Sequence, residues 1–483
     1  MIGIANHYVA LYRNNPIMPA DILSLRTALA VSRGYQYPLT NGIAISMGVL
    51  FCALSMIYSF HKLDLLKKSK SKWIPKVISI FIGFLSIAWI NNVKFEDAYN
   101  IKMNLWWPAV TYEENGFLPA FISFAQRLKI SQPEGYSTQD VNYILERLPA
   151  YEGPDDRKPT IIAIMNEAFS DLSALGPFDS SKNELRFYNA LKSDPGTIEI
   201  GFDYVSTRGG GTSLTEFEFL TGNSMANILG TTPFTQFDFQ HIPSIVSNLK
   251  EQGYEAIAMH PENPNNYKRS NVYASMGFDE FLSIDSFEGL DIIAGTRISD
   301  FGDYKKLIEV YEQRMAPLFV FNVTIQNHGG YDIQKIEDKY RVSLENKYDK
   351  YADVQGYQSL MKASDRALEY LINYFKNVDD PVIICMFGDH QPTLNKEFEQ
   401  QLISEGREND DTDLTIAQKY YSVPYFIWSN DPEIISRGEN WSFTKKDIIS
   451  PNYLSTMLQY YAGTKISAYN EFLLELRKKD FCN

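Results

Sequence analysis

The sequence has little cysteine and fewer basic than acidic residues, and each shortage excludes a class of protein. Its 483 residues include three cysteines and six histidines. The cysteines lie far apart, at 52, 385 and 482, so they provide neither a disulfide framework nor a thiolate zinc site. The formal net charge of −14 argues against a nucleic-acid partner, which would need a basic surface. What remains is an acidic chain, long enough for two or three folded units.

Two long apolar runs lie near the N-terminus. Residues 43–60 carry no charge over about the length that a helix needs to cross a hydrocarbon core. Residues 74–90 are apolar apart from Lys76, and the lysine-rich segment 62–72 separates the two runs. Two buried helices of a soluble domain are the alternative interpretation. Uncharged runs on either side of a lysine cluster favour a transmembrane hairpin over 42–92 with a cytoplasmic loop.

This topology predicts that the chain after the hairpin is extracytoplasmic, and that residues 1–41 also lie outside. Residues 1–41 contain charged side chains and show no basic segment followed by an apolar core, so they do not read as a signal peptide. An external N-terminus needs an earlier span to carry it across. We therefore expect that the sequence is a fragment or lacks upstream spans.

The pattern of apolar residues changes after a turn-rich connector, which we predict over 93–157. Apolar runs that read as strands then alternate with helical patterns. The runs are 160–165, 197–205, 254–259, 318–325 and 381–387. Strands separated by helices predict an α/β domain with a mostly parallel sheet between helical layers. We place this domain at 158–465 and a C-terminal tail at 466–483.

Reactive side chains follow these predicted strands. In open parallel sheets, ligands bind beyond the carboxyl ends of the strands, so side chains at those ends are expected to meet. The strand-end residues, in chain order, are Glu167, Thr212, His260, His328, Asp389 and His390. Chance clustering is the alternative, since polar residues commonly end strands. Three of the six histidines fall at these positions, and the sequence therefore predicts one active site there.

Glu167, Asp389 and His390 supply two carboxylates and an imidazole. This mixture suits a divalent cation such as Mn²⁺, Mg²⁺ or Zn²⁺. Taken one at a time, Glu167 is also compatible with a helix-capping carboxylate, and Asp389 with His390 is compatible with a surface turn.

Thr212 follows three consecutive glycines, 209–211, and precedes a helical pattern. It is therefore expected at a helix N-terminus, where backbone N–H groups favour a phosphate. The glycines permit positive φ angles and a close approach of the backbone. A plain N-cap threonine is the alternative. Because a free threonine hydroxyl is a poor nucleophile, a metal beside it would be needed to activate it.

Four motifs in this order resemble one family. MNEAFSDL at 165–172, RGGGTSLTEFEFLTG at 208–222, QNHGGY at 326–331 and FGDHQP at 387–392 are similar to motifs of the lipoteichoic acid synthase and phosphoglycerol transferase group. That group belongs to the sulfatase-like branch of the alkaline phosphatase superfamily. The resemblance implies that Glu167, Thr212, Asp389 and His390 hold one divalent ion, with Mn²⁺ the first choice. It also implies that Thr212 is the nucleophile.

The same resemblance implies substrate contacts for three further residues. His328 matches a substrate-binding histidine, and His260 and Arg269 match residues that contact a glycerol-phosphate group. The planar fork of an arginine suits phosphate oxygens, although a surface cation is the alternative for Arg269. Two positions depart from the family pattern. Tyr267 replaces a frequent tryptophan, and Gly211 replaces a frequent lysine.

The resemblance further implies a multi-pass plasma-membrane enzyme whose catalytic domain is extracytoplasmic. It would move phosphoglycerol from phosphatidylglycerol to a glycerol-phosphate polymer or a glycolipid, as in lipoteichoic acid synthesis. A phosphoethanolamine transferase, a sulfatase-like hydrolase and a non-catalytic cell-wall polymer-binding domain remain alternatives. The sequence after Thr212 lacks the proline and arginine of the formylglycine sulfatase motif, which disfavours a sulfatase.

Overall fold

The chain divides into two compact units, one of residues 1–131 with 229–231 and one of residues 132–228 with 232–483. The computed structural model describes residues 2–13, 15–25, 28–29, 37–62, 73–105, 108–130, 132–148, 153, 157–178, 184–314, 317–344, 346–408, 411–439 and 448–478.

The first unit is helical. Its α-helices are α1 Ile2–Arg13, α2 Asn41–Lys62, α3 Ile74–Asn92, α4 Phe95–Ala98, α5 Pro108–Asn115 and α6 Phe117–Arg127. Side chains of α5 and α6 form a small core around Phe124. By contrast, α2 and α3 leave large apolar side chains exposed, including Phe51 at 74% and Ile80 at 73%. Within the described ranges, no helix combines the length and the apolar character that a membrane crossing requires.

An eight-stranded sheet lies at the centre of the second unit, in the order β10-β2-β9-β8-β1-β7-β3-β4. The strands are β1 Thr160–Asn166, β2 Thr197–Tyr204, β3 Glu255–Met259, β4 Glu280–Leu282, β7 Leu318–Val323, β8 Val382–Gly388, β9 Ser422–Ser429 and β10 Ile448–Ile449; β5 Ile292–Ile293 and β6 Arg297–Ile298 form a separate hairpin. Neighbouring strands are parallel except for the two pairs that include β9. The predicted mostly parallel sheet is confirmed.

Helices cover both faces of this sheet. They are α7 Thr138–Leu145, α8 Arg186–Leu191, α9 Thr212–Thr221, α10 Pro233–Gln236, α11 Ile245–Glu251, α12 Arg269–Met276, α13 Asp300–Gln313, α14 Ala352–Phe375, α15 Lys396–Glu405, α16 Asp413–Lys419, α17 Pro432–Glu439, α18 Pro451–Ala462 and α19 Ala468–Lys478. Successive residues of β1 enter opposite cores: Ala163 belongs to one, and Ile162 and Ile164 to the other. Burial of such an aliphatic side chain contributes about 1.5–3 kcal/mol.

Strand β9 is absent from the sequence-based prediction. Pro424 falls inside it, and proline lacks the N–H that a central strand normally donates, so the pattern reads as an edge or a loop. In the structure β9 is central and antiparallel, and Pro424 pairs with Phe202 of β2. Buried side chains on both faces of β9 outweigh this local signal.

Candidate active site

Parallel strands bring the predicted residues to one edge of the sheet. Strand β1 lies between β7 and β8, with Asn166 opposite Gly388 and Met165 opposite Val323. The residues that follow these strand ends therefore lie close together. Strand β3 adds His260, whose Nδ1 lies 2.8 Å from the carbonyl oxygen of Val323.

Glu167, Asp389 and His390 converge as predicted. Their ligand atoms all lie within 4.8 Å of one another. His390 Nε2 is 3.6 Å from Glu167 Oε1 and 3.3 Å from Asp389 Oδ2. All three side chains are buried. Among the described residues, Asp389 Oδ2 and His390 Nε2 find no hydrogen-bond partner. Buried polar atoms without partners are costly, so this donor set fits a divalent cation.

Hydrogen bonds fix the side chain of Asp389 and the backbone of Glu167. The amide of Ala168 donates a 2.7 Å hydrogen bond to Asp389 Oδ1, while the amide of Glu167 donates to Thr324 Oγ1 at 3.1 Å. Ala168 has a φ of +47°, which is uncommon for a residue with a Cβ. Such outer contacts orient metal ligands, so this strand end is shaped for its carboxylates.

Thr212 lies beside the triad. Its Oγ1 is 3.4 Å from Glu167 Oε2, and only 7% of the residue is exposed. It is the first residue of α9, and Gly211, with φ +90°, caps the helix in the left-handed region. The hydroxyl of Thr215, one turn later, donates to the carbonyl oxygen of Asp389 at 2.7 Å. The N-terminus of α9 is thus fastened to the strand end that carries two triad residues.

The glycine run has a specific backbone shape. Gly209, Gly210 and Gly211 all have positive φ, at 65°, 140° and 90°. The amide of Gly209 donates to the carbonyl oxygen of Gln391 at 2.9 Å. A Cβ at Gly211 would lie 2.7 Å from Thr207 Oγ1, in a conformation that L-residues rarely adopt. This turn therefore favours glycine over the lysine that the resemblance would lead us to expect.

His260 and His328 lie at the site, and both imidazoles are neutral near pH 7. Burial, followed by the charge of Arg269, lowers the pKa of His260 well below its usual value. Burial lowers the pKa of His328 to about 3, with further contributions from Arg297 and His390. Neutral imidazoles can donate hydrogen bonds to phosphate oxygens without adding charge.

Arg269 is not a surface cation. It is 2% exposed, and its Nε lies 3.0 Å and 3.1 Å from the two carboxylate oxygens of Glu216. Its charge also reaches Glu167, where it opposes an upward pKa shift. That shift comes first from burial and second from Asp389. The structure thus brings Arg269 near the triad, and its substrate-binding role stays a prediction.

Sequence reasoning missed Glu216, Tyr273 and Arg297. Glu216 is four residues after Thr212, a helical spacing that places both side chains on one face of α9. That spacing was the available signal. Arg297 comes from the hairpin β5–β6, and its Nη2 donates to the carbonyl oxygen of Gly329 at 2.5 Å. Only tertiary folding brings that hairpin beside His328, so no local pattern could identify it.

Comparisons with known proteins agree with this architecture. Residues 159–457 match the family model described as Sulfatase. A Rhizobium meliloti (strain 1021) protein, whose name assigns it provisionally to cyclic beta-1,2-glucan modification, is 27% identical over 484 residues. The match covers 96% of this chain and 72% of that protein.

Two solved structures share the fold. The Streptococcus pyogenes phosphoglycerol transferase GacH, in complex with sn-glycerol-1-phosphate, has a TM-score of 0.55 and 21% identity, covering 72% of this chain and 88% of its own. The Neisseria meningitidis lipooligosaccharide phosphoethanolamine transferase EptA, an integral membrane protein, has a TM-score of 0.54 and 12% identity, covering 96% and 82%. At these identities the likeness concerns the fold alone.

Proposed function

The chain belongs to the sulfatase family, and on that premise we propose that it is a membrane-anchored, metal-dependent phosphoglycerol transferase. The observation that carries the proposal is the buried triad, with partnerless Asp389 Oδ2 and His390 Nε2, beside the hydroxyl of Thr212. A structural ion alone would not need a threonine hydroxyl at the N-terminus of a helix next to it. A nucleophile at a phosphate-binding helix terminus accounts for both features.

Glu167, Asp389, His390 and Thr212 would hold one divalent ion, with Mn²⁺ our first choice and Mg²⁺ or Zn²⁺ compatible with the same ligands. When bound, such an ion supplies Lewis-acid polarisation of a phosphoryl oxygen and favours the threonine alkoxide.

In this mechanism, Thr212 carries the phosphoglycerol group as a covalent intermediate. Its Oγ forms a bond to the phosphorus of phosphatidylglycerol, and the bond from phosphorus to the diacylglycerol oxygen breaks. Diacylglycerol leaves with the proton that Thr212 gave up. An acceptor hydroxyl then attacks the phosphothreonine, and its proton returns to Thr212. We assign to His260, His328 and Arg269 the role of holding the phosphoglycerol group during both steps.

The choice of donor and acceptor is the finer part of the proposal. A phosphoglycerol transferase among the similar folds supports phosphatidylglycerol as donor. A glycerol-phosphate polymer, as in lipoteichoic acid, or a membrane glycan is the proposed acceptor, and the glucan-modification relative favours the glycan. A phosphoethanolamine donor is the second candidate, because the similar fold that spans 96% of the chain is a phosphoethanolamine transferase.

A lipid donor calls for attachment to a membrane. The exposed apolar side chains of α2 and α3, such as Phe51 and Ile80, support a hairpin that holds the catalytic domain on the extracytoplasmic side. We propose these two helices as that anchor.

The proposal is tested with the purified full-length protein, Mn²⁺ and vesicles of either phosphatidylglycerol or phosphatidylethanolamine. We expect diacylglycerol release from phosphatidylglycerol by the wild type, and none by Thr212→Ala. Ser213→Ala is the matched control, since Ser213 is the neighbouring buried hydroxyl and should leave turnover intact. Full activity of Thr212→Ala would reject the nucleophile. Turnover of phosphatidylethanolamine alone would favour the second candidate.

A further inference from the structure

A buried ion pair lies one helical turn from the proposed nucleophile. Arg269 directs its Nε and Nη2 at the carboxylate of Glu216, and Tyr273 donates its hydroxyl to the same carboxylate. Glu216 is 0% exposed and Arg269 is 2% exposed. A carboxylate and a guanidinium in this arrangement are both ionised and cancel each other in charge.

The pair belongs to the active site. Glu216 follows Thr212 by four positions on α9, so the two residues share a helix face about 6 Å apart along the axis. The charge of Arg269 also acts on Glu167, whose carboxylate lies 3.4 Å from the hydroxyl of Thr212.

Other charged and titratable groups also act on the site. Glu167 and Asp389 together balance the charge of a divalent ion. Both His260 and His328 are neutral near pH 7, because burial lowers their pKa values. Arg297 adds one positive charge, which acts on Glu167 and His328. The pairing of Glu216 with Arg269 therefore lowers by one the positive charge that the site presents to a substrate.

We propose that Glu216 sets the charge class of the substrate, making the site complementary to a singly charged phosphodiester rather than a doubly charged phosphomonoester. This inference rests on the proposed function, because it concerns the donor of the same site. A diester such as a phospholipid headgroup carries one negative charge, whereas a monoester carries nearly two at pH 7. Without Glu216, the site would present one more positive charge, which favours the more highly charged monoester.

The test compares two soluble substrates on one preparation of the full-length Mn²⁺-loaded protein. These are bis(p-nitrophenyl) phosphate, a diester, and p-nitrophenyl phosphate, a monoester. The ratio of their kcat/KM values is the readout, because the folded fraction and the metal occupancy cancel in it. We expect the wild type to favour the diester. Glu216→Gln should move the ratio towards the monoester by at least about tenfold, as expected for one nearby charge.

Tyr273→Phe is the matched control. It removes another contact of Glu216 but keeps both charges, so its ratio should equal that of the wild type. An unchanged ratio in Glu216→Gln would overturn the inference. A wild type that favours the monoester would overturn it without any variant, so the test remains decisive even if Glu216→Gln does not fold.

Failure of this inference can be told apart from failure of the proposed function. If phosphatidylglycerol vesicles yield no diacylglycerol, the proposed donor is wrong, whatever the ratio of the soluble substrates. If phosphatidylglycerol in the vesicles is turned over while Glu216→Gln and the wild type show the same ratio of kcat/KM values, only the charge assignment of Glu216 is wrong.

Discussion

Two buried charged clusters lie side by side in the catalytic unit, and they satisfy their polar atoms differently. The triad leaves Asp389 Oδ2 and His390 Nε2 without a partner among the described residues. In the Glu216–Arg269 pair, the carboxylate of Glu216 accepts three hydrogen bonds from Arg269 and one from the hydroxyl of Tyr273. Burial and charge are common to both clusters. The difference indicates that the triad fits an added cation, whereas Glu216 is already paired with the guanidinium of Arg269.

Loss of one triad ligand should have the largest effect. In Asp389→Asn, one carboxylate charge is missing from the metal set, so we expect turnover of phosphatidylglycerol to fall by at least about 10⁴-fold. Isothermal titration with Mn²⁺ should show weakened binding in the same variant. Asp203→Asn changes another fully buried aspartate, outside the triad, and should keep Mn²⁺ affinity. Equal Mn²⁺ affinity in Asp389→Asn and wild type would remove the basis for a metal site.

Breaking the Glu216–Arg269 pair should instead lower the stability of the fold. Arg269→Ala leaves Glu216 buried without its cation, and we expect the free energy of unfolding to fall by about 3–5 kcal/mol. The comparison is Arg314→Ala, which removes ion pairs with Glu255 and Glu280 at the surface and should cost about 1 kcal/mol or less. Urea denaturation measures both. Similar losses in the two variants would mean that the buried pair is not a stabilising unit.

Glu218 differs from both the triad and the Glu216–Arg269 pair. It is a buried carboxylate with neither a metal nor an arginine partner in its described contacts. Burial raises its pKa to about 7, although hydrogen bonds from Met225 and Ser206 oppose the shift. The protonated form is therefore favoured in the fold. Its contribution to stability is fully present below the ordinary pKa near 4.5 and is lost as the pH rises through about 7.

Glu218→Gln should consequently flatten the pH dependence of unfolding between pH 4.5 and 7 by about 3 kcal/mol. Thermal unfolding of wild type and variant at pH 5 and pH 8 provides the measurement. Glu251→Gln, at an exposed helix position, should leave the pH dependence as it is in the wild type. A pH dependence of Glu218→Gln identical to that of the wild type would contradict the assigned burial effect.

The smallest expected effect concerns the glycine run that precedes Thr212. Gly211→Ala places a Cβ at φ +90°, and we expect a loss of about 1–2 kcal/mol from the left-handed conformation alone. The contact with Thr207 Oγ1 should add to it. Gly289→Ala has a similar φ of +81° with no neighbour within 4 Å, so the difference between the two variants isolates that contact. If both variants lose the same stability, the turn is less constrained than described.

The sheet and the triad could be predicted because their signals are local. Continuous apolar runs marked β1, β7 and β8, and a reactive residue follows each run within a few positions. Since parallel strands share one edge, convergence followed from topology alone. The family match to residues 159–457 confirms that interpretation of the fold.

What the sequence did not reveal depends on tertiary contacts or overrides a local rule. Pro424 concealed a central strand because packing on both faces outweighed one missing N–H. Arg269 read equally well as a surface cation, and only the approach of α12 to α9 shows its partner Glu216. The same limit applies to Arg297, which lies on a hairpin with no strand-end signal.

The proposed mechanism requires that Thr212 carries the phosphoglycerol group between donor and acceptor. The most direct test is intact-mass and peptide mass spectrometry of the full-length Mn²⁺-loaded protein, quenched during turnover of phosphatidylglycerol without an acceptor. We expect a phosphoglycerol adduct on the peptide that contains Thr212, absent from Thr212→Ala and present in Ser213→Ala. Turnover of phosphatidylglycerol with an adduct on another residue, or by Thr212→Ala at the wild-type rate, would contradict it.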